Sequence, residues 1–287
     1  MKLLRFGPVG QEKPGVLTTA GLSLDVSAFG EDYDEKFFAT DGLTRLAAWL
    51  DAQATACPMV PAETRLGPCV ARPSKLIAIG LNYRQHGAET GLGTPAEPVF
   101  FLKAPSAICG PNDEVILPRN ATKLDYEAEL AFVIGRRARY VPEAEALGYV
   151  AGYTILNDYS ERAFQLERGG QWTKGKSADT FAPLGPYLTL AAEVPDPQNL
   201  SIWLTVNGES RQNGTTADML FTLPKLISYV SEFMTLLPGD VITTGSPAGS
   251  GVGLHPPQFL QAGDVVELSI GELGGQRQRI VPFRLGE

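Results

Sequence analysis

Three acidic residues define the chemistry this chain could do. In "LDYEAELAFVIG", residues 124–135, Glu127 and Glu129 are separated by one residue and lie beside Leu130, Phe132, Val133 and Ile134. Side chains alternate along a strand, so both glutamates point to one face, about 7 Å apart along the chain. Two carboxylates that close repel each other and are costly to desolvate. Either that face is open to water, or a cation sits between them. Asp158 ends the next apolar strand, "YTILND", and comes adjacent if the two strands pair. Three acidic oxygen donors with no nearby His or Cys describe a hard-cation site, for Mg²⁺ or Mn²⁺.

Other reactive residues fall close by. "YSERAFQLERGG" reads as a short helix with Ser160 as N-cap, and Arg162 and Gln165, three apart, share one face. An Arg guanidinium there is either a surface charge or a two-pronged clamp for a carboxylate. "QWTKGKSADTFAPLGP" offers Lys174 and Lys176 in a Gly-containing loop; one could reach a developing oxyanion, and both could equally be solvated. Of the two histidines, His86 has Glu89 one helical turn on, while His255, in "GLHPPQ", has no such partner and reads as loop. A carboxylate beside an imidazole raises its basicity and fixes its tautomer, as a general base requires. A surface His–Glu pair is the alternative. "GSPAGSGVG" is followed by "LHPPQF" and not by a helix, which excludes a dinucleotide or P-loop. It is not G-x-S-x-G either, so Ser246 is a poor nucleophile-elbow candidate. A loop that brings backbone N–H groups to a small anion fits better.

The elements that must carry these residues are mostly strands. "KLIAIG", "PVFFLK", "DEVILP", "YEAELAFVIG" and "YVAGYTILND" fit strand patterns, and "SIWLTVNGESRQNG" is a hairpin about Asn207-Gly208. "LLPGDVITTG" and "QAGDVVELSIGEL" each start a strand after a Gly-Asp turn. "TLPKLISYVSEFM" is an amphipathic helix with Leu223, Leu226, Ile227, Val230, Phe233 and Met234 as its stripe. Residues 1–70 read as a small N-terminal α/β region, with two or three short strands and a helix over "DGLTRLAAWLDAQ". Leu43, Leu46, Ala47 and Leu50 line one face of that helix, and Asp41 is placed to cap it. Residues 71–287 form the second unit. Strands without regular βαβ alternation make the fold class α+β, with a β-rich core.

Composition narrows the partners. The 287 residues carry a formal charge of −8, and no basic run interleaves with aromatics, which argues against nucleic acid. No apolar run approaches the roughly 20 residues of a membrane span. "MKLLRFGPVGQEKPG" lacks a signal-peptide core, so the cytoplasm is the expected compartment. Cys57, Cys69 and Cys109 match no zinc spacing and read as reduced, partly buried thiols.

Taken in order, "IGLNYRQHGAE", "PVFFLKAPSAICGPNDEVILP", "LDYEAELAFVIG", "GYTILNDYSERAFQ", "KGKSADTFAPLGP", "LLPGDVITTGSPAG" and "GDVVELSI" resemble the fumarylacetoacetate hydrolase family over roughly residues 73–287. Each motif is weak alone, and the ordered set is highly specific. The resemblance implies a twisted, β-rich roll, a homodimer, and Mg²⁺ or Mn²⁺ held by Glu127, Glu129 and Asp158. It implies His86 and Glu89 as the water-activating dyad. It places Arg162, Gln165 and Lys176 where the family contacts substrate or polarises its carbonyl, Tyr83 in the same pocket segment, and Ser246 at the Thr/Ser position of the C-terminal glycine loop. One departure is visible: where the family commonly runs from Pro-x-Gly into Val-Gly, Ser250-Gly251 intervene.

The implied reaction is hydrolysis of a carbon–carbon bond in a 2,4-diketo acid. Water activated by His86 attacks the distal keto carbon, Lys176 stabilises the oxyanion, and pyruvate departs. The opening segment and the length resemble bacterial members acting on 2,4-diketo-3-deoxy sugar acids of the L-rhamnonate or L-fuconate type, which would give pyruvate and a hydroxy acid such as lactate. Arg162 and Gln165 would then offer polar donors to a hydroxylated tail, with no apolar wall. Acylpyruvate hydrolase and oxaloacetate decarboxylase are rival activities on the same metal site. A non-catalytic, metal-dependent keto-acid binder is a rival of another class, against which the His86–Glu89 pair argues.

Overall fold

A computed structural model describes residues 1–89 and 93–284; the side chains of His86 and Ala88 lie outside the described set. Among these residues, eleven strands form one mixed sheet. Its order runs Ser23–Asp25, Lys13–Leu17, Lys2–Phe6, Ala182–Leu190, Val150–Asn157, Ala128–Ile134, Val241–Thr243, Leu76–Gly80, Val99–Lys103, with Leu66–Gly67 and Ile108–Cys109 attached beside it. A five-stranded sheet holds Glu209–Thr215, Ser201–Val206, Val265–Ile270, Gly275–Pro282 and Val115–Leu117. The strands of the first 70 residues extend the large sheet at one side, through the pairs Lys2↔Thr189 and Leu3↔Leu188.

The two sheets differ in their sequence texture for a physical reason. Every residue of Ala128–Ile134 and Val150–Asn157 is buried, so these central strands are covered on both faces and read as continuous apolar runs. Ser201–Val206 and Gly275–Pro282 alternate buried and open positions, because one face of the smaller sheet meets water. The hairpin turn lies at Asn207 and Gly208, whose φ of 52° and 81° fit the left-handed pair of a type I′ turn.

The helix Leu223–Phe233 buries Leu223, Leu226, Ile227 and Val230, while Phe233 at its end is 58% exposed and leaves the stripe. In the helix Gly42–Gln53, Leu46 is buried and Leu43 and Leu50 pack partly, but Ala47 is exposed. Asp41 does not cap this helix with its side chain. Its backbone is left-handed, φ 53°, which turns the carboxylate away and leaves only its carbonyl to accept from Arg45 N. Ser160 is likewise displaced as a cap. It belongs to the short strand Ser160–Glu161, and Glu161 caps Arg162–Leu166 by accepting from Phe164 N at 2.7 Å. Cys57, Cys69 and Cys109 are free thiols, the last two buried. No helix among the described residues is long and apolar enough to cross a membrane.

Candidate active site

Pairing of the two central strands assembles the acids. The register sets Ala128 opposite Asn157. Asp158 N then donates to Glu127 O at 2.8 Å, and Asn157 Oδ1 accepts from Glu127 N at 3.0 Å. One oxygen from each of Glu127, Glu129 and Asp158 lies within 4.8 Å of the others, and all three residues are buried. Glu127, one residue ahead of the strand Ala128–Ile134, and Glu129 within it do converge on one side. They do not face open water.

Cations and amides of the chain surround this cluster. Lys176 Nζ donates to Glu127 Oε2 at 2.5 Å and Asp158 Oδ2 at 2.6 Å. Lys103 Nζ donates to Asp158 Oδ1 at 2.5 Å, and Arg162 Nη2 to Glu127 Oε1 at 2.7 Å. Glu129 receives Gly245 N at 2.9 Å. Burial, then the Asp158 and Glu127 charges, push the Glu129 carboxyl well above the usual carboxylate range. Burial pulls the Lys103 ammonium down. Lys176 is desolvated as well, but Asp158 and Glu127 together hold it above the ordinary lysine value.

The glycine loop does bring amides to anions, and those anions belong to the chain. Gly249 N reaches Glu89 Oε2 at 3.0 Å, while Gly251 N and Val252 N reach Asp125 at 2.6 and 3.1 Å. Ser250 and Gly251, the residues that depart from the family pattern, both take part, since Ser250 Oγ lies 3.4 Å from Glu89 Oε1. Gly253 is needed for the close approach of Glu89: a Cβ there would overlap the Glu89 carboxyl group.

Arg162 is no surface charge. It is buried, with Nε on Asp125 Oδ2 at 2.8 Å and Nη1 on Gln165 Oε1 at 3.0 Å. Its guanidinium is thus spent on the protein's own carboxylates and amide, and does not stand open as a clamp. Lys176 is buried in the site, whereas Lys174 is exposed and donates to Arg168 O. Ser246 lines the cavity and accepts from Gln212 Nε2 at 2.6 Å. Tyr83 is buried but does not line the cavity, and burial raises its phenol. His86 and Glu89 share the helix Arg84–Glu89; the His86 side chain lies outside the described residues.

Sequence reasoning missed three features. Asp125 is fully buried and takes Arg162, Gly251 and Val252 at once; in the sequence it continues the spacing of Glu127 and Glu129, and D-x-E-x-E was the signal. Lys103 has the parity of Phe101, which lines the cavity. The third is an apolar wall. The cavity, of about 110 Å³, is lined by the acids and by Ile79, Leu81, Phe101, Leu166, Trp172 and Val252.

The donor set fits a divalent cation. It consists of oxygens alone, converging and desolvated, and the crowded charge that raises Glu129 is what a hard dication would relieve. The comparisons agree. Residues 75–281 match the family model described as fumarylacetoacetate (FAA) hydrolase C-terminal. A Burkholderia ambifaria protein with a provisional, generic hydrolase name is 53% identical over 279 residues, covering 97% of this chain and 98% of its own. A fumarylacetoacetate hydrolase from Exiguobacterium antarcticum superposes with a TM-score of 0.86 at 36% identity, over 99% of this chain and 100% of that one. Maleylpyruvate hydrolase from Sphingobium sp. SYK-6, solved with manganese (II) ion and pyruvate, gives 0.82 at 31%, with the same coverage. The fold and site define an α+β hydrolase that acts on carbon–carbon bonds. The chain belongs to the fumarylacetoacetate hydrolase family.

Proposed function

We propose that the protein hydrolyses 2,4-diketo acids to pyruvate and a second acid, with Mg²⁺ or Mn²⁺ held by Glu127, Glu129 and Asp158. The observation that carries this reading is the convergence of those three buried carboxylates with the Lys176 ammonium at one cavity. The manganese and pyruvate bound to the Sphingobium relative support it.

Each residue then has a task. A bound dication would supply Lewis-acid polarisation of the substrate's 2-keto group. His86, oriented by Glu89, takes a proton from water as the water oxygen bonds to the distal keto carbon. Lys176 turns its N–H groups to the oxygen that gains charge there; one such donor contributes about 10²–10³ in rate. The bond between that carbon and the adjacent CH₂ breaks, and its electron pair leaves with the CH₂. The oxyanion collapses to the carboxyl group of the second acid, and the CH₂ takes the proton held by His86 to become the methyl group of pyruvate.

A diketo-deoxy sugar acid of the L-rhamnonate or L-fuconate type, which the likeness of the N-terminal segment to such enzymes supports, is the finer reading that competes with the apolar lining of the cavity. The family resemblance supports a homodimer, which light scattering of the purified protein tests, and the cytoplasm is the compartment proposed for it. The activity test is acetylpyruvate with Mg²⁺, pyruvate being measured by a coupled dehydrogenase. Release that stops with EDTA supports the proposal. No release from any 2,4-diketo acid overturns it, and carbon dioxide from oxaloacetate as the fastest product replaces it with a decarboxylase.

A further inference from the structure

We infer that the apolar part of the cavity is a subsite for an apolar acyl tail, with Leu166 and Trp172 as the residues that select it. The inference rests on the diketo-acid reading for where the charged end of the substrate lies.

The polar groups of the lining are already engaged. The three nitrogens of the Arg162 guanidinium donate to Asp125, Gln165 and Glu127. Lys176, held by Glu127 and Asp158, is committed to the reacting end of the substrate, and Ser246 is engaged by Gln212. Gln165 spends its oxygen on Arg162, which leaves its NH₂ as the donor for a ligand beside the cluster. Among the described residues, the lining thus offers a tail with several hydroxyls few partners to replace the water it gives up, and burying an unpaired hydroxyl is costly.

The apolar side chains, by contrast, have surface to offer. Leu166 is 45% exposed although it lines the cavity, on the same short helix as Arg162 and Gln165. Covering it with a hydrocarbon chain removes apolar area from water on both partners. Trp172 is a fixed wall. Its ring lies edge-on to Phe101, with centroids 5.4 Å apart, and packs so closely on Gly80 that a Cβ there would sit 2.5 Å from Cζ3. A rigid wall needs no reordering when a tail arrives, which favours binding.

The test has a turnover arm and a binding arm, both on the Mg²⁺-loaded enzyme. In the first, kcat/KM is measured for acetylpyruvate, for acylpyruvates with straight chains up to six carbons, and for 2,4-diketo-3-deoxy-L-rhamnonate. The longest acyl chain should exceed acetylpyruvate by at least about tenfold, the scale of one or more methylenes in an apolar pocket. Leu166→Ser and Trp172→Ala should bring that ratio towards one, and Leu166→Met should keep it; a thermal melt of each variant verifies folding. Equal efficiencies, preference for the hydroxylated acid, or an unchanged ratio in Leu166→Ser overturns the inference. In the second arm, calorimetry compares pyruvate with 2-oxooctanoate. Affinity about tenfold tighter for 2-oxooctanoate upholds the subsite, and equal affinity overturns it. If no diketo acid turns over, the proposed reaction falls, and the binding arm still decides the subsite.

Discussion

Lys176 and Asp158 face each other at 2.6 Å, both buried, with Glu127 on the other side of the same ammonium at 2.5 Å. The lysine offsets charge that water cannot reach. Removing one partner of a buried ion pair costs about 3–5 kcal/mol, because the other charge is left uncompensated. Lys176→Met should therefore lower the melting temperature of the metal-free protein markedly. Saturating Mg²⁺ should recover a large share of the loss. A melt of the variant that Mg²⁺ does not raise would show that the acids and the cation are not linked.

Metal should also stabilise the native protein. A ligand at 100 times its Kd adds about 2.7 kcal/mol to folding stability. EDTA-treated protein should melt lower than Mg²⁺- or Mn²⁺-loaded protein, and Glu129→Ala should abolish both this shift and turnover. Full activity of Glu129→Ala after chelation would remove that residue from the ligand set.

Binding and chemistry should separate at His86. Loss of a general base costs about 10²–10⁴ in rate while sparing contacts made elsewhere. His86→Ala should lose kcat on that scale and still bind pyruvate with metal, as followed by calorimetry. Near wild-type turnover would place the base on another residue.

Gly253 offers a test that leaves every charged group in place. A methyl there meets the Glu89 carboxyl group, which is held by Gly249 N at 3.0 Å. Gly253→Ala should displace Glu89 and lower kcat with little change in metal affinity. Equal losses in both would point to collapse of the loop as a whole.

The thiols respond to pH in a defined direction. Burial pushes Cys69 up to about 11 and Cys109 further still, so both stay protonated near neutrality. At pH 8 the native protein should label with iodoacetamide at half-buried Cys57, and at the other two only after denaturation. Between the unfolded thiol's pKa, about 8.5, and about 11, the folded state holds the Cys69 proton that the unfolded state has lost. Stability should fall as pH rises through that interval. A Cys69→Ala variant should show a shallower fall in urea titrations; an equal slope would exclude the thiol as the cause.

The metal-site geometry was legible because a strand has period two: Glu129 lies in Ala128–Ile134, and Glu127 and Asp158 directly flank the paired strands. Glu127, Glu129 and Asp158 needed only the pairing of two adjacent strands. The lining was much less so. Whether Arg162 points at a ligand or at Asp125 depends on a residue 37 positions away, which no local spacing encodes. Lys103 ends an apolar strand and reads as a polar terminus until that strand lies against Asp158. Caps failed for a local reason: at Asp41 the backbone is left-handed, and at Ser160 the strand runs one residue further.

The acids wait for their amides. Glu129 is met by Gly245 N, 116 residues on, and Asp125 by Gly251 N, 126 residues on. During synthesis at about 5–20 residues per second, the acid-bearing strand exists for roughly ten seconds before the loop that receives it has been made. The strand can pair with Val150–Asn157 in that interval, but its carboxylates must remain hydrated, or find an ion, until the loop arrives. The site is thus completed only once residues 245–251 have emerged, and a ribosome stalled before residue 245 would hold an almost finished sheet with its acids still solvated.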